Sequence, residues 1–258
     1  MRVLITGAAS GFGAAISSEL RARGEDVAGI DIQPADGVLV ADVRAQDQVD
    51  DAVARAVERL GGLDVLINNA GIGEPQDSGL APDDRAVACL ETNFLGAWRV
   101  TSAALPHLLE SGGRVVNVAS GLAYFTLPYS AAYAASKRAL VAYSDVLRIE
   151  YGDRIGVTTI YPGYVRTPIH ARSEQMGLSL AGTVPEERLA GVVRTVVRAC
   201  YGRARRDVGT SLQTGFGIRL GRHFPAAVDF VVRRQFRRLV AKGSYPGRAL
   251  FESHRPRS

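Results

Sequence analysis

Short apolar runs alternate along this chain with stretches of helical spacing. Arg2-Val3-Leu4-Ile5 reads as a strand, and Ile16 and Leu20 follow on the apolar side of a helix. Val27-Ala28-Gly29-Ile30 is a second strand and Gly37 to Ala41 a third. So few residues separate them that a crossover helix there is at most one turn. Residues 46–60 place Val49, Val53, Ala56, Val57 and Leu60 on one helical face. Three more strands are predicted at Leu63–Ile67, Arg114–Val118 and Gly156–Tyr161, with helices over roughly Asp84–Leu109 and 129–151. The alternation predicts an α/β fold with a doubly wound parallel sheet flanked by helices. Residues 226–242 add a basic amphipathic helical extension, with Val228, Val232, Phe236, Leu239 and Val240 on one side and arginines in i, i+4 rows on another.

Composition narrows the class without changing it. A chain of 258 residues, 47% apolar and 22% charged, suits a single domain and argues against both disorder and a membrane-spanning protein. We expect its core over about 1–202 and the basic extension over about 203–258. Cys89 and Cys200 are the only cysteines, which argues against a disulfide framework. No metal-ligand spacing links His107, His170, His223 and His254. The start lacks a long apolar run behind basic residues, so a cytoplasmic location is expected. The net charge of +5 is uneven: from Arg203 onward there are 13 basic against 3 acidic residues, and the remainder is acidic on balance. No nucleic-acid motif or aromatic interleaving accompanies those arginines, and no nucleic-acid partner is expected.

Candidate chemistry begins at the first strand. It runs into Thr6-Gly7-Ala8-Ala9-Ser10-Gly11-Phe12-Gly13 and then into a helix. Glycines let the backbone approach a ligand, and a helix N-terminus offers free N–H groups to a phosphate. Asp31 ends the second strand, where a carboxylate can accept from both ribose hydroxyls and repel a 2′-phosphate. Neither Ser10 nor Ile32 is a lysine or arginine that could rescue that phosphate, which favours NAD over NADP. Asn68-Asn69-Ala70-Gly71 follows the fourth strand, where amides beside a small-residue turn either tie strand ends or admit a planar ring.

Tyr133 and Lys137 lie four residues apart on a predicted helix, hence on one face. An ammonium one turn away favours the phenolate and draws the tyrosine pKa down from about 10. Only two of the 31 basic residues are lysines, Lys137 and Lys242, so a lysine here departs from the chain's habit. Taken alone the pair equally describes an exposed helix with a surface lysine. Ser120 lies just past the fifth strand, on the sheet edge where ligands bind.

Together the motifs Thr6-Gly7-x-x-x-Gly11-x-Gly13, Asn68-Asn69-Ala70-Gly71, Ser120, Tyr133-x-x-x-Lys137 and Pro162-Gly163 resemble the short-chain dehydrogenase/reductase family over roughly residues 1–200. The interval from Ser120 to Tyr133 is that family's usual one. The resemblance implies a Rossmann-type sheet, NAD as cofactor and direct hydride transfer without a metal. It implies Tyr133 as general acid/base, Lys137 as the group that lowers its pKa and holds the nicotinamide ribose, and Ser120 as the residue polarising the substrate oxygen. Asn93 would prop a water linking Lys137 to solvent. Gly7, Gly11 and Gly13 would admit the pyrophosphate, Asp31 the adenine ribose, and Asp42-Val43 the adenine. Ser10, Phe12, Ile32, Asn69, Ala70, Gly71, Pro162, Gly163, Val165 and Thr167 would lie along the cofactor. A departure is the absence of the family's Val-Asp-Gly-Gly-like final strand. In its place Leu212–Gly217 leads to Phe224-Pro225-Ala226, similar to the retinol- and steroid-dehydrogenase-like branch.

The segment between Thr167 and Pro185 is expected to form a lid. Ile169, Met176, Leu178 and Leu180 would give it an apolar side, facing Leu122 and Tyr124. Ser120, Leu122, Tyr124, Tyr133, Ile169 and Met176 are the expected substrate contacts, for a hydrophobic secondary alcohol or ketone of steroid, terpenoid or fatty class. Tyr124 equally suits packing, and the apolar spacing equally suits a well-packed lid. The helix at 226–242 has two readings: packed on the domain with a solvated arginine face, or lying on an anionic membrane surface. A homo-oligomer, dimer or tetramer, is expected. Two other functions share the fold. A regulatory NAD sensor usually loses the Tyr or Lys, both present here. A nucleotide-sugar epimerase or dehydratase is generally longer.

Overall fold

The computed structural model describes residues 1–175 and 186–241. In chain order its elements are β1 (Arg2–Thr6), α1 (Gly11–Ala22), β2 (Asp26–Asp31), β3 (Val38–Val40), α2 (Gln46–Leu60), β4 (Val65–Asn68), α3 (Asp84–Leu90), a π-helical turn (Glu91–Gly96) and α4 (Ala97–Ser111). There follow β5 (Arg114–Val118), α5 (Ala131–Tyr151), β6 (Gly156–Tyr161), α6 (Ala171–Gln175), α7 (Leu189–Ala199), β7 (Asp207–Gly209), α8 (Leu212–His223) and α9 (Pro225–Ala241). The seven strands form one parallel sheet in the order β3-β2-β1-β4-β5-β6-β7. The winding reverses between β1 and β4, so a crevice opens there at the carboxyl ends of the strands.

Strand alternation sends side chains to both faces. Leu4, Leu66 and Val115 join the apolar layer under α2, α4 and α5, whereas Val3, Ile5, Val65, Ile67 and Val116 join the one under α1 and α7. Leu4, Ile5, Leu66 and Ile67 are fully buried, and each such side chain contributes about 1.5–3 kcal/mol. A polar chain crosses the first layer. Asn68 Nδ2 donates to Thr101 Oγ1 and Asn117 Oδ1, and Asn117 Nδ2 donates to Ser144 Oγ, all at 2.8 Å. These bonds tie β4 and β5 to α4 and α5.

The expected elements are present with shifted ends, and α7, α8 and β7 were not foreseen. The predicted helix from Asp84 to Leu109 is α3 and α4 joined through the π turn, begun by Asp83, whose side chain accepts from Arg85 and Ala86 N–H. The short strand β7 was not legible: three residues after a cluster of arginines carry no periodicity. It extends the sheet from the segment beyond residue 202, pairing with β6. The link between β2 and β3 contains no helix; it is a turn in which Gly37, at φ 69°, lets its carbonyl accept from Gly29 N. Met176, Leu178, Leu180 and Pro185 of the expected lid, and Lys242 and His254, lie outside the described residues.

Candidate active site

The turn after β1 is shaped by close approach. Gly7 and Gly11 have φ of 67° and 53°, where a side chain is strained. Gly13 is a packing requirement, since a Cβ there would stand 1.9 Å from Gly7 O and 2.8 Å from Asn69 Nδ2. It brings α1 tight against β1, with its N-terminal N–H groups aimed at the crevice. Asn69 serves the same junction: its Nδ2 donates to Thr6 O at 3.0 Å and Gly7 O at 3.2 Å. Thr6 Oγ1 accepts from Asn69 N and Ala70 N, both at 3.0 Å. Gly7, Ser10, Gly11, Phe12, Asn69, Ala70 and Gly71 line one long cavity of about 990 Å³, and Gly13 stands behind it.

At one end of that cavity Asp31 accepts from Ala9 N at 2.9 Å and Gln33 N at 3.0 Å, so the carboxylate is fixed between the glycine turn and the chain leaving β2. Ile32, 58% exposed, and Val43 line the same end. Asp42 is paired with Arg44 at 2.6 Å, and the guanidinium hydrogen-bonded to it holds its carboxyl below the usual range. Arg44 also lines the cavity; sequence reasoning passed over it because no glycine or strand-end motif marks it.

Midway along, Tyr133 and Ser120 face the cavity from α5 and from the end of β5. The Ser120 hydroxyl hydrogen-bonds to Tyr133. Burial pushes the Tyr133 phenol up to about 12, and that bond pulls it back only in part. Lys137, 3% exposed, donates from Nζ to Val118 O at 2.9 Å and stands 5.8 Å from the centre of the Tyr133 ring. Burial drives its own pKa down to about 8. In the protein alone, burial sets the direction of the shift at both groups, up for the phenol and down for the ammonium.

Asn93 sits in the π turn, 1% exposed. Its Oδ1 accepts from Ile72 N at 2.8 Å, and its Nδ2 donates to Ile72 O at 3.0 Å and Ser136 Oγ at 2.9 Å. It thus ties the turn after β4 to the helix bearing Tyr133 and Lys137. A Cβ on Gly71 would lie 3.1 Å from Asn93 Oδ1 and 3.4 Å from Lys137 Nζ, so a side chain at Gly71 would crowd both.

The far half of the cavity is mainly apolar. Leu122, Ile169, Val165 and Thr167 line it, with Pro162 and Gly163 beside them. Tyr124 does not: it is buried with Ala119, Ala123, Val141, Tyr161 and Ile218, covered by the Arg138 guanidinium at 4.2 Å. Its aromatic ring finds more contact against Tyr161, 5.8 Å away, than the cavity offers. Phe125, Leu127, His170, Leu220, Val228, Val231 and Val232 also line the cavity and were not foreseen. The apolar periodicity of α9 was visible, but which surface it covers was not.

A half-buried carboxylate ties this half together. Glu187 Oε1 accepts from Ser211 Oγ at 2.6 Å, and the carboxylate also accepts from the Thr210 and Thr214 hydroxyls and from Gly163 N. Burial alone would raise its pKa; the three hydroxyls and the amide outweigh that and hold it below the usual range.

A sequence profile described as short chain dehydrogenase matches residues 1–177. The chain belongs to the short-chain dehydrogenase family. Over 184 residues it is 35% identical to 11-beta-hydroxysteroid dehydrogenase 1A of Arabidopsis thaliana, covering 65% of this chain and 53% of that protein, so it spans about half the length of that relative. It is 35% identical over 216 residues to the oxidoreductase UcpA of Escherichia coli K12, covering 72% of this chain and 81% of that protein. Among solved structures, a short-chain dehydrogenase from Burkholderia cenocepacia in complex with NADP superposes with a TM-score of 0.76 at 26% identity, covering 89% of this chain and 96% of that one. The 3-ketoacyl-(acyl-carrier-protein) reductase from Brucella melitensis complexed with NADH gives 0.71 at 26% identity, covering 80% and 95%.

Proposed function

We propose that this protein is an NAD-dependent oxidoreductase interconverting a secondary alcohol and a ketone on a mainly hydrophobic substrate. The observation that carries the reading is that Ser120 and Tyr133 line a cavity continuous with the glycine turn, with Lys137 buried beside the Tyr133 ring. The residues present fit a dinucleotide, because glycines stand where Cβ atoms would obstruct the turn and Asp31 stands where a ribose would present its hydroxyls. When bound, a nicotinamide supplies a hydride acceptor or donor. The Tyr133 hydroxyl gives a proton to the substrate oxygen in reduction, and its phenolate receives one from the alcohol in oxidation, for which general acid–base catalysis is worth about 10²–10⁴-fold. Ser120 Oγ holds that oxygen. Lys137 brings positive charge near the phenolate, which is formed when Tyr133 gives up its proton in reduction and serves as the base in oxidation, and Asn93 keeps the turn at Gly71 and Ile72 registered against α5. Gly7, Gly11, Asp31, Asp42 and Val43 hold the adenosine and pyrophosphate half.

Support for NAD rests on the fixed Asp31 carboxylate and on Arg44 being committed to Asp42. Support for a hydrophobic substrate rests on Leu122, Phe125, Leu127, Ile169, Val228 and Val232 around the far half of the cavity. The same proposal includes a cytoplasmic location and a homodimer. The dimer would use α4 and α5, where Trp98 is 49% and Ile149 84% exposed. The test is a spectrophotometric screen with NAD over steroid, terpenoid and aliphatic secondary alcohols, repeated with Tyr133→Phe. Turnover that survives in the variant at more than about a hundredth of the wild-type rate sinks the proton-transfer assignment.

A further inference from the structure

The α8–α9 hairpin carries the charge of the whole chain. Residues 212–241 contain six arginines and one acid, Asp229, a balance equal to the total of +5, so the rest of the chain is neutral on balance. Arginine 222 is engaged by Asp207 at 3.0 Å and Asp145 at 3.8 Å. On α8, Leu212, Phe216, Arg219 and His223 recur at spacings of four and three and form one exposed stripe, opposite Ile218 and Gly221. On α9, Val228 and Val232 turn inward to the cavity, and Phe230 lies on the opposite side with Arg233, Arg234 and Arg237.

The apolar residues on the outward sides of the two helices and at their junction are unusually bare. Leu212 is 94% exposed, Phe216 68%, Phe224 62% and Phe230 65%. Single exposed hydrophobics need no explanation, but four on one hairpin among arginines do. Val231 connects this face with the cavity: it lines the cavity and is 59% exposed. No described helix is long and apolar enough to cross a membrane.

We propose that the outer face of α8–α9 docks on the surface of an anionic lipid bilayer. Leu212, Phe216, Phe224 and Phe230 enter the interfacial region, and Arg219, Arg233, Arg234 and Arg237 meet the headgroups. A nucleic acid would use the arginines and leave four apolar side chains in water. A second copy of this hairpin would meet it with like charge. A bilayer matches both features, and it sets the cavity rim at Val231 beside a reservoir of apolar molecules. The docking stands independently of the oxidoreductase reading, which supplies only its purpose.

The test is flotation of the full chain with phosphatidylcholine vesicles, with and without phosphatidylserine. Binding is expected to the anionic vesicles, to weaken as salt rises, and to fall about fivefold for each of Arg233, Arg234 and Arg237 changed to Gln. The Phe216→Ser/Phe230→Ser variant is expected to bind at least about tenfold more weakly. Equal partition onto neutral vesicles, undiminished binding by the phenylalanine variant, or displacement from vesicles by RNA at equal charge overturns the proposal. Hydrogen exchange on the unaltered protein guards against misfolded variants: vesicles should slow exchange within 212–241, and protection confined to other elements overturns it. NADH formation with a water-soluble alcohol, measured separately without vesicles, reports on the oxidoreductase reading alone.

Discussion

Lys137 should destabilise the protein that depends on it. Its ammonium is 3% exposed, with Val118 O at 2.9 Å as the hydrogen-bond partner. Burial holds its pKa at about 8 against 10.5 for a free lysine. Between those two pH values the unfolded chain binds one proton more than the folded one, so stability rises with pH there. Below pH 8 the full penalty is present, about 3 kcal/mol. Lys137→Met keeps the apolar stem and removes the charge, but leaves the Val118 carbonyl unpaired, which costs about 1 kcal/mol or more. The variant is therefore expected to be about 2 kcal/mol more stable than the parent at pH 7, and to lose that advantage as pH rises from 8 toward 10. Urea unfolding followed by the single tryptophan, Trp98, measures this at fixed protein concentration, since an oligomer couples stability to concentration. A variant that is less stable at pH 7, or whose difference from the parent does not change with pH, would refute the claim that desolvation dominates at this lysine.

Other outcomes follow from particular contacts. Asp31→Ala should lower the preference for NAD over NADP in kcat/KM; a parent enzyme already faster with NADP would contradict the role given to that carboxylate. Gly13→Ala places a Cβ 1.9 Å from Gly7 O, so calorimetry should show cofactor affinity reduced at least about tenfold and unfolding eased by about 1–3 kcal/mol. Asn93→Ala strands Ile72 N–H and leaves Ile72 C=O only the Cys89 thiol as donor, and denaturation should report a loss of about 1–3 kcal/mol. The same variant should have a depressed kcat with KM for NAD little changed, and an unaltered kcat would remove Asn93 from the catalytic support.

Much of this site could be read from sequence because its parts are short and local. A glycine turn between a strand and a helix, a carboxylate at the next strand end, and a tyrosine one helical turn from a lysine need only secondary structure to be placed. Parallel strands then deliver them to one edge of the sheet. What escaped depends on long-range packing. Glu187 and its hydroxyl partners are 23 to 27 residues apart and share no motif. Tyr124 lies two residues from Leu122, yet the first is core and the second lines the cavity. The amphipathic pattern of α9 revealed an inner side without revealing that a cavity was beneath it. Burial, which sets the direction of the shift at both Tyr133 and Lys137, is reported by no local pattern.

The Glu187 junction bears on how such a protein could be re-engineered. One carboxylate accepts from the chain leaving β6 and from three hydroxyls at the start of α8. It is the fastening between the sheet that carries the candidate site and a hairpin that forms part of the cavity wall. A chimaera that grafts another relative's hairpin at residue 215 keeps Thr210, Ser211 and Thr214 and inherits the fastening intact. A graft cut at 209 discards all three hydroxyls and leaves a half-buried negative charge with the Gly163 amide as its remaining partner. The practical unit of exchange is the hairpin without its first turn, and changes of substrate range should be sought on the far side of that seam.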